Sequence, residues 1–352
     1  MSKIFKQIKK DNSPKTINTN FEPIRVMHYK NKPSKILFEN GDDIKSVCLS
    51  CQDPLCINYE KNELPKFKSF SIENDNRVCP TNSITWHADD SNPTINNDIC
   101  IKCGLCVKRC PIGAIYMDEK EGVIVNEFIE TSKNKDIINQ NKELDFTKHI
   151  DYLKRINHSG VLFKETDKIM DEIYQKINYL KSEIDFENIL TRNLLIETNI
   201  NCSITRQGDV NTRMDGLFNL NKYTSGVLEI EFGPDILDTP RNILDNIAVL
   251  SSRYEIKYEN IIPLIINLSL PNERSEYWQV IADIAKVLNI KINSLTIGAL
   301  MIINWNLKEI TSKINNFYID SNTMSIKEKI ENIIDRKVNL KQDNYSVLSP
   351  KK

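Results

Sequence analysis

Eight of the nine cysteines in this 352-residue chain fall between residues 48 and 110, and no other feature constrains its folding as tightly. The stretch CIKCGLCVKRCP places Cys100, Cys103, Cys106 and Cys110 at the spacing C-x2-C-x2-C-x3-C-P. Three thiolates on one tight loop can reach a polynuclear metal centre if the backbone curls closely, and Gly104 permits that curl. Pro111 turns the chain away after the fourth cysteine, and Ile101, Leu105, Val107, Ile112 and Ile115 can keep water from what the thiolates hold. A looser copy comes first: CLSCQDPLC supplies Cys48, Cys51 and Cys56, and CPTNSI supplies Cys79. CPTNSI set against CPIGAI is an internal repeat.

This is the bacterial run for [4Fe–4S] ligation. Residues 45–127 resemble dicluster ferredoxins, especially the C-x2-C-x4-C variety found in electron-transfer subunits. In two-cluster ferredoxins the fourth cysteine of each run ligates the other cluster. The resemblance therefore implies two [4Fe–4S] clusters, one on Cys48, Cys51, Cys56 and Cys110, the other on Cys100, Cys103, Cys106 and Cys79. One departure stands out: 22 residues separate Cys56 from Cys79, where such runs place three. A surface loop of that length adds little closure entropy. C-x2-C pairs also bind zinc, but eight cysteines in two Cys-Pro-terminated runs exceed what a zinc ribbon needs. The clusters' role, structural staple or electron carrier, stays open. Cys202, in NINCSITR, is expected in a buried strand.

Net charge is −1, with 40% hydrophobic and 27% charged residues, so bulk charge neither points to nucleic acid nor excludes it. Residues 1–35 hold nine Lys or Arg against two acids. They read as a basic arm over 1–44, either solvated or in contact with phosphates. The N-terminus has no apolar signal region, and IIPLIINLSL and LTIGALMII are too short to span a membrane. A cytoplasmic protein without membrane contact is expected, so its cysteines point to metal or redox chemistry rather than disulfides.

Beyond the cysteine block, residues 128–185 read as a polar linker with helical pieces, with Ile169, Ile173, Ile177, Leu180 and Ile184 at helical intervals over 164–184. Residues 186–306 read as a separate domain. A helix is expected over 186–197, strands at NCSITR, RMDGLF and VLEIEF, and a helix at DTPRNILDNIAVLSSRY capped by Thr239 with Pro240 in its first turn. A strand at IIPLIINLSL, a helix at ERSEYWQVIADIAKVLNI and a final strand at SLTIGALMIINW complete the expected order. A strand, a helix and a fully apolar strand suggest a right-handed crossover in a central mixed sheet. Residues 307–352 read as a charged helical tail with a frayed end. The expected architecture is thus an α+β dicluster domain followed by an α/β domain.

VLEIEF carries a second chemistry. Glu229 and Glu231 are two apart on a strand and share a face, and Asp215 in RMDGLF is expected beside them. Two like charges about 4 Å apart cost on the order of 4 kcal/mol at an effective dielectric of 20. A divalent cation removes that cost, and oxygen-only ligands suit Mg²⁺. The plainer alternative puts both glutamates on the wet face of an edge strand, opposite Leu228, Ile230 and Phe232.

DGLF…VLEIEFG, between a helix and a crossover helix, resembles the PD-(D/E)xK restriction-endonuclease-like nucleases over roughly residues 186–305. The resemblance implies that Asp215 and Glu229 bind Mg²⁺ and that Glu231, at the usual lysine position, orients or deprotonates the attacking water. Glu187 is a candidate supporting acid, and Arg213 and Arg241 are candidate phosphate contacts. The expected function is Mg²⁺-dependent cleavage of double-stranded DNA in restriction or defence, with a homodimer if both strands of a palindrome are cut. Two rivals remain: a ferredoxin-type electron carrier or oxidoreductase subunit that meets a redox partner through a docking domain, and a DNA binder that does not cut. With ten glycines the chain has neither G-x-G-x-x-G nor a P-loop, which counts against a nucleotide-dependent oxidoreductase.

Overall fold

The computed structural model describes residues 36–37, 56–59, 64, 67, 70–86, 93–110, 115–118, 122–125, 143–144 and 161–351, apart from 184, 207–213, 222 and 320–323. Most of the basic arm and of the linker, together with Cys48, Cys51 and Arg213, lies outside the described residues. The chain divides into two compact units. The first takes in Ile24–Glu60 and Asn76–Phe163; the second takes in Lys61–Asp75 and Lys164–Lys352.

The first unit is built from short elements: β1 (Ile36–Leu37), β2 (Ile84–Thr85), β3 (Thr94–Ile95), α1 (Leu105–Arg109), β4 (Ile115–Asp118), β5 (Gly122–Val125) and β6 (Glu143–Leu144). β1 pairs with β6, β2 with β3 and β4 with β5, all antiparallel. The internal repeat is visible here, because Ile84 and Ile115 occupy the same place after their Cys-Pro steps and each opens a strand. Val78, Ile101, Leu105, Val107, Ile115 and Val123 form the apolar interior.

The second unit starts with α2 (Asp167–Leu180), where Ile169, Ile173, Ile177 and Leu180 are buried as their spacing requires and Thr166 caps the Ile169 N–H. Next come α3 (Phe186–Glu197), β7 (Asn201–Ile204), β8 (Gly216–Asn219) and β9 (Ser225–Glu231). α4 (Thr239–Arg253), β10 (Ile261–Asn267), α5 (Glu276–Leu288), β11 (Asn293–Thr296), α6 (Ile297–Trp305) and α7 (Lys327–Ile334) complete the unit. The sheet order is β11-β10-β9-β8-β7. β7, β8 and β9 are antiparallel, whereas β9, β10 and β11 are parallel, so the sheet is mixed. α4 and α5 are the two crossovers that parallel pairing demands. α4 packs on β9 and β10, while α3 packs on β7 and β9 and against α6.

One alternative is set aside and three expectations are corrected. β9 is the central strand, not an edge: Ser225–Ile230 are buried throughout, because helices cover both faces. SLTIGALMIINW is a strand only to Thr296, whose Oγ1 accepts the Ala299 N–H and starts α6. Every residue of α6 is buried, and an apolar run covered on all sides carries no period to distinguish helix from strand. α4 begins at Thr239 with Asp238, not Thr239, at the cap position. The C-terminal tail is also not mainly helical. Beyond α7 it is fixed by polar groups: Asp343 accepts the N–H groups of Val347, Leu348 and Ser349, and Thr296 Oγ1 donates to the Val347 carbonyl at 2.7 Å.

Candidate functional site

The cysteine loop curls through two left-handed positions, Lys102 at φ 54° and Gly104 at φ 80°, before α1 begins. Lys102 N–H donates to Cys100 Sγ at 3.4 Å. Cys79 Sγ accepts the Ser83 N–H at 3.2 Å and lies 3.1 Å from Ser83 Oγ. Burial, and then the charges of Cys79 and Cys100, push the Cys103 thiol well above its ordinary value. Cys106 is raised in the same way by burial and by Cys100, Cys103, Cys79 and Cys56. Cys79 is therefore within electrostatic reach of Cys103 and Cys106. Lys102, Lys108 and Arg109 are buried in the same loop, and the Arg109 guanidinium lies 3.8 Å from the centre of the Tyr59 ring. Thiols this crowded and poor in water favour coordination to iron, which takes up the negative charge that burial opposes.

The acidic group forms where the antiparallel and parallel halves of the sheet meet. Register puts Gly216 opposite Leu228, so Asp215 falls beside Glu229 on the neighbouring strand. Asp215 Oδ2 accepts the Ile230 N–H at 2.7 Å. Glu229, 9% exposed, receives an N–H from Asn246 at 2.8 Å on one oxygen and from Asn242 at 3.3 Å on the other. Asn242 and Asn246 lie four apart on α4 and so share one helix face. Glu231 folds back onto the Gly233 N–H at 2.5 Å, and Glu187, at the start of α3, accepts from the Phe232 backbone.

Burial is the main cause of unusual proton affinity in this group, and like charge is the next source of elevation. Glu229 is pushed up to about 8 by burial and by Asp215, against the lowering effect of its two asparagines. Glu187 rises to about 7 through burial and Glu231. Asp215 rises to about 6 through burial, partly offset by the Ile230 N–H, with Glu231 adding to the rise. Arg241 is placed elsewhere, paired with Glu276 at 2.7 Å and Asp238 at 3.4 Å on an exposed surface.

Residues 93–116 match the model of the 4Fe-4S binding domain. The chain carries a ferredoxin-type iron–sulfur domain. The chain is 31% identical over 114 residues to an uncharacterized ferredoxin of Methanocaldococcus jannaschii, covering 30% of this chain and 56% of that protein. It is 38% identical over 57 residues to a ferredoxin of Alicyclobacillus acidocaldarius, covering 16% and 70%. It is 25% identical over 79 residues to a tetrathionate reductase subunit of Archaeoglobus fulgidus, covering 22% of this chain and 28% of that one. The chain thus spans about half of the first relative, at 56%, and well under half of the reductase subunit, at 28%. Among solved structures, the restriction endonuclease FokI aligns with a TM-score of 0.31 at 9% identity, covering 61% of this chain and 40% of that one. Likeness at that level transfers neither fold nor activity.

Among the described residues, no three His, Cys, Asp or Glu side chains are placed to hold one metal ion. In the ferredoxin domain this follows from the chemistry: each thiolate of a cubane binds a different iron, so the ligands do not surround a single point. In the acidic group each carboxylate is turned to its own donor, namely Ile230, the asparagine pair or Gly233. The four acids are brought within mutual electrostatic reach but not onto one shared point. Sequence reasoning missed Asn242 and Asn246. Their signal was present: two amides at i and i+4 in α4 beside core-facing Ile243 and Ile247.

Proposed function

We propose that the chain is a divalent-cation-dependent endonuclease for double-stranded DNA, carrying two [4Fe–4S] clusters in its ferredoxin domain. One observation carries the nuclease reading: Asp215, Glu229, Glu231 and Glu187, drawn from three elements, lie within electrostatic reach near the end of the central strand, and Asp215, Glu229 and Glu187 have raised proton affinity. An oxygen-only donor set stressed in this way suits a hard cation, and Asp215 with Glu229 would hold Mg²⁺. When bound, such an ion supplies charge to the scissile phosphate and acidifies water.

The residues themselves hold geometry and protons. Asn242 and Asn246 fix the plane of the Glu229 carboxylate, and the Ile230 N–H fixes that of Asp215. Glu231 orients the attacking water and takes its proton as the water oxygen bonds to phosphorus and the bond to the 3′ oxygen breaks. Glu187, near 7, shares that proton at neutral pH, and the leaving 3′ oxygen is protonated from solvent. Cutting both strands of a palindrome calls for a homodimer.

For the two clusters we assign Cys100, Cys103, Cys106 and Cys79 to one, and Cys48, Cys51, Cys56 and Cys110 to the other. The raising of Cys103 and Cys106 by a nearby Cys79 supports the first set. The test of function is to incubate the purified, cluster-loaded protein with plasmid and phage DNA, in Mg²⁺ or EDTA, beside Asp215→Ala. Mg²⁺-dependent nicking or cutting that the variant lacks is expected; binding without cutting identifies a DNA binder instead.

A second reading has its own support, since the curated relatives are named as ferredoxins and a reductase subunit. In that reading the clusters pass electrons to a redox partner and the sheet unit docks it. Reversible reduction of the clusters with no DNA cleavage or binding under any condition would favour it.

A further inference from the structure

The 22 residues between Cys56 and Cys79 are divided between the two units. Residues 61–75 belong to the sheet unit, although both bracketing cysteines belong to the other. Within the sheet unit residues 71–73 run beside the end of β7 and the two residues that follow it. Ile72 forms an antiparallel bridge with Thr205, the Glu73 N–H donates to the Ile204 carbonyl at 3.0 Å, and the Arg206 N–H donates to the Ser71 carbonyl at 2.9 Å. Leu64, Phe67 and Phe70 are buried, and the Phe67 ring meets Tyr254, at the end of α4, edge-on at 5.4 Å. Arg192 closes the far end by donating to the Asp75 carbonyl at 2.6 Å.

The partner of this segment is also the neighbour of the acidic group. Thr205 N–H donates to the Asp215 carbonyl at 2.8 Å, and Thr205 Oγ1 donates to the Met214 carbonyl. Asp215 in turn holds the Ile230 N–H. An unbroken ladder therefore runs from residues 71–73 through 204–206 to Asp215 and β9.

We propose that cluster occupancy regulates the acidic site through this segment. With Cys56 and Cys79 fixed on iron, the ends of the segment are held and its docking on residues 204–206 needs little further ordering. When the clusters are lost, only the backbone pairing of residues 57–59 with 76–78 still closes the segment, and closure entropy opposes docking more strongly. Thr205 then loses its outer support, and the hold on Asp215 loosens. The regulatory role rests on the nuclease reading; the mechanical linkage does not.

Hydrogen exchange separates the two. The full chain is compared cluster-loaded and after stripping with a chelator and an oxidant. Stripping is expected to speed exchange of the Glu73, Thr205 and Arg206 amides on the order of tenfold while β10 is unchanged. Equal rates in both forms would overturn the linkage, as would uniform loss across β10. Glu73→Pro removes one rung of the ladder without replacing a cysteine. It is expected to keep the cluster's visible absorbance, to speed exchange at Thr205 and to weaken Mn²⁺ binding measured by EPR. An unchanged Thr205 amide in that variant would also overturn the linkage. If the wild type bound no Mn²⁺ and cut no DNA while the exchange result held, the nuclease reading would fail and the linkage would stand.

Discussion

Asn246 reaches from the buried face of α4 to Glu229, its Nδ2 2.8 Å from the carboxylate, so one crossover helix fixes the acid on the central strand. Asn246→Ala removes that donor and leaves a nearly buried oxygen unsatisfied. We expect a loss of about 1–3 kcal/mol in urea unfolding above pH 8, where Glu229 carries its charge. Asn242→Ala, across the longer 3.3 Å contact, should cost less.

The elevated acids set a pH dependence of definite sign. Glu229 near 8 and Asp215 near 6 bind protons in the folded state that the unfolded chain has already released. Stability in EDTA should therefore fall as pH rises from the ordinary carboxylate range, about 4, to about 8, and level off beyond. Glu229→Gln should flatten the upper part of that fall, and Mg²⁺ should restore stability at the alkaline end. Thermal melts across pH, with and without Mg²⁺, check all three.

Glu165 is fully buried and is gripped by Arg336 at 2.7 and 2.5 Å, with the Asn339 N–H at 2.8 Å. Arg336→Ala leaves an uncompensated buried carboxylate, for which about 3–5 kcal/mol is expected. Lysine should rescue only part of it, because it lacks the planar fork. Chemical denaturation of the three proteins gives the comparison.

Arg109, 1% exposed, stacks on Tyr59 immediately before Cys110. A buried positive charge favours the more negative, reduced cluster. Arg109→Gln should shift the midpoint of an EPR-monitored redox titration to more negative potential, whereas Arg109→Lys should hold it near the wild-type value.

Much of this was legible in the sequence because the relevant residues repeat with a physical period. The isoleucines of α2 and the apolar stripe of α4 sit where 3.6-residue spacing puts them. The pairing of Glu229 with Glu231 followed from strand alternation alone. What was not legible depends on distant partners. The position of β9 at the centre of the sheet is set by β10 and β11, whose parallel register no local pattern encodes. The tail is ordered by single carboxylates, Asp343 gripping the backbone of residues 347–349 and Glu165 gripping Arg336 from far along the chain, which leaves no periodic trace. Cys202 was legible for the opposite reason: a lone cysteine among strand formers is a small apolar residue, and it is fully buried in β7 with its thiol pushed up to about 12.

The strand-like segment over residues 71–73 has a consequence for dissecting the chain. A fragment cut to begin at Lys164 would keep all five strands of the sheet yet leave the Ile204 carbonyl and the Arg206 amide, at the end of β7, without their partners. Bare groups at a sheet edge invite pairing with another chain, so the sheet half of this chain is best studied with residues 71–73 still attached.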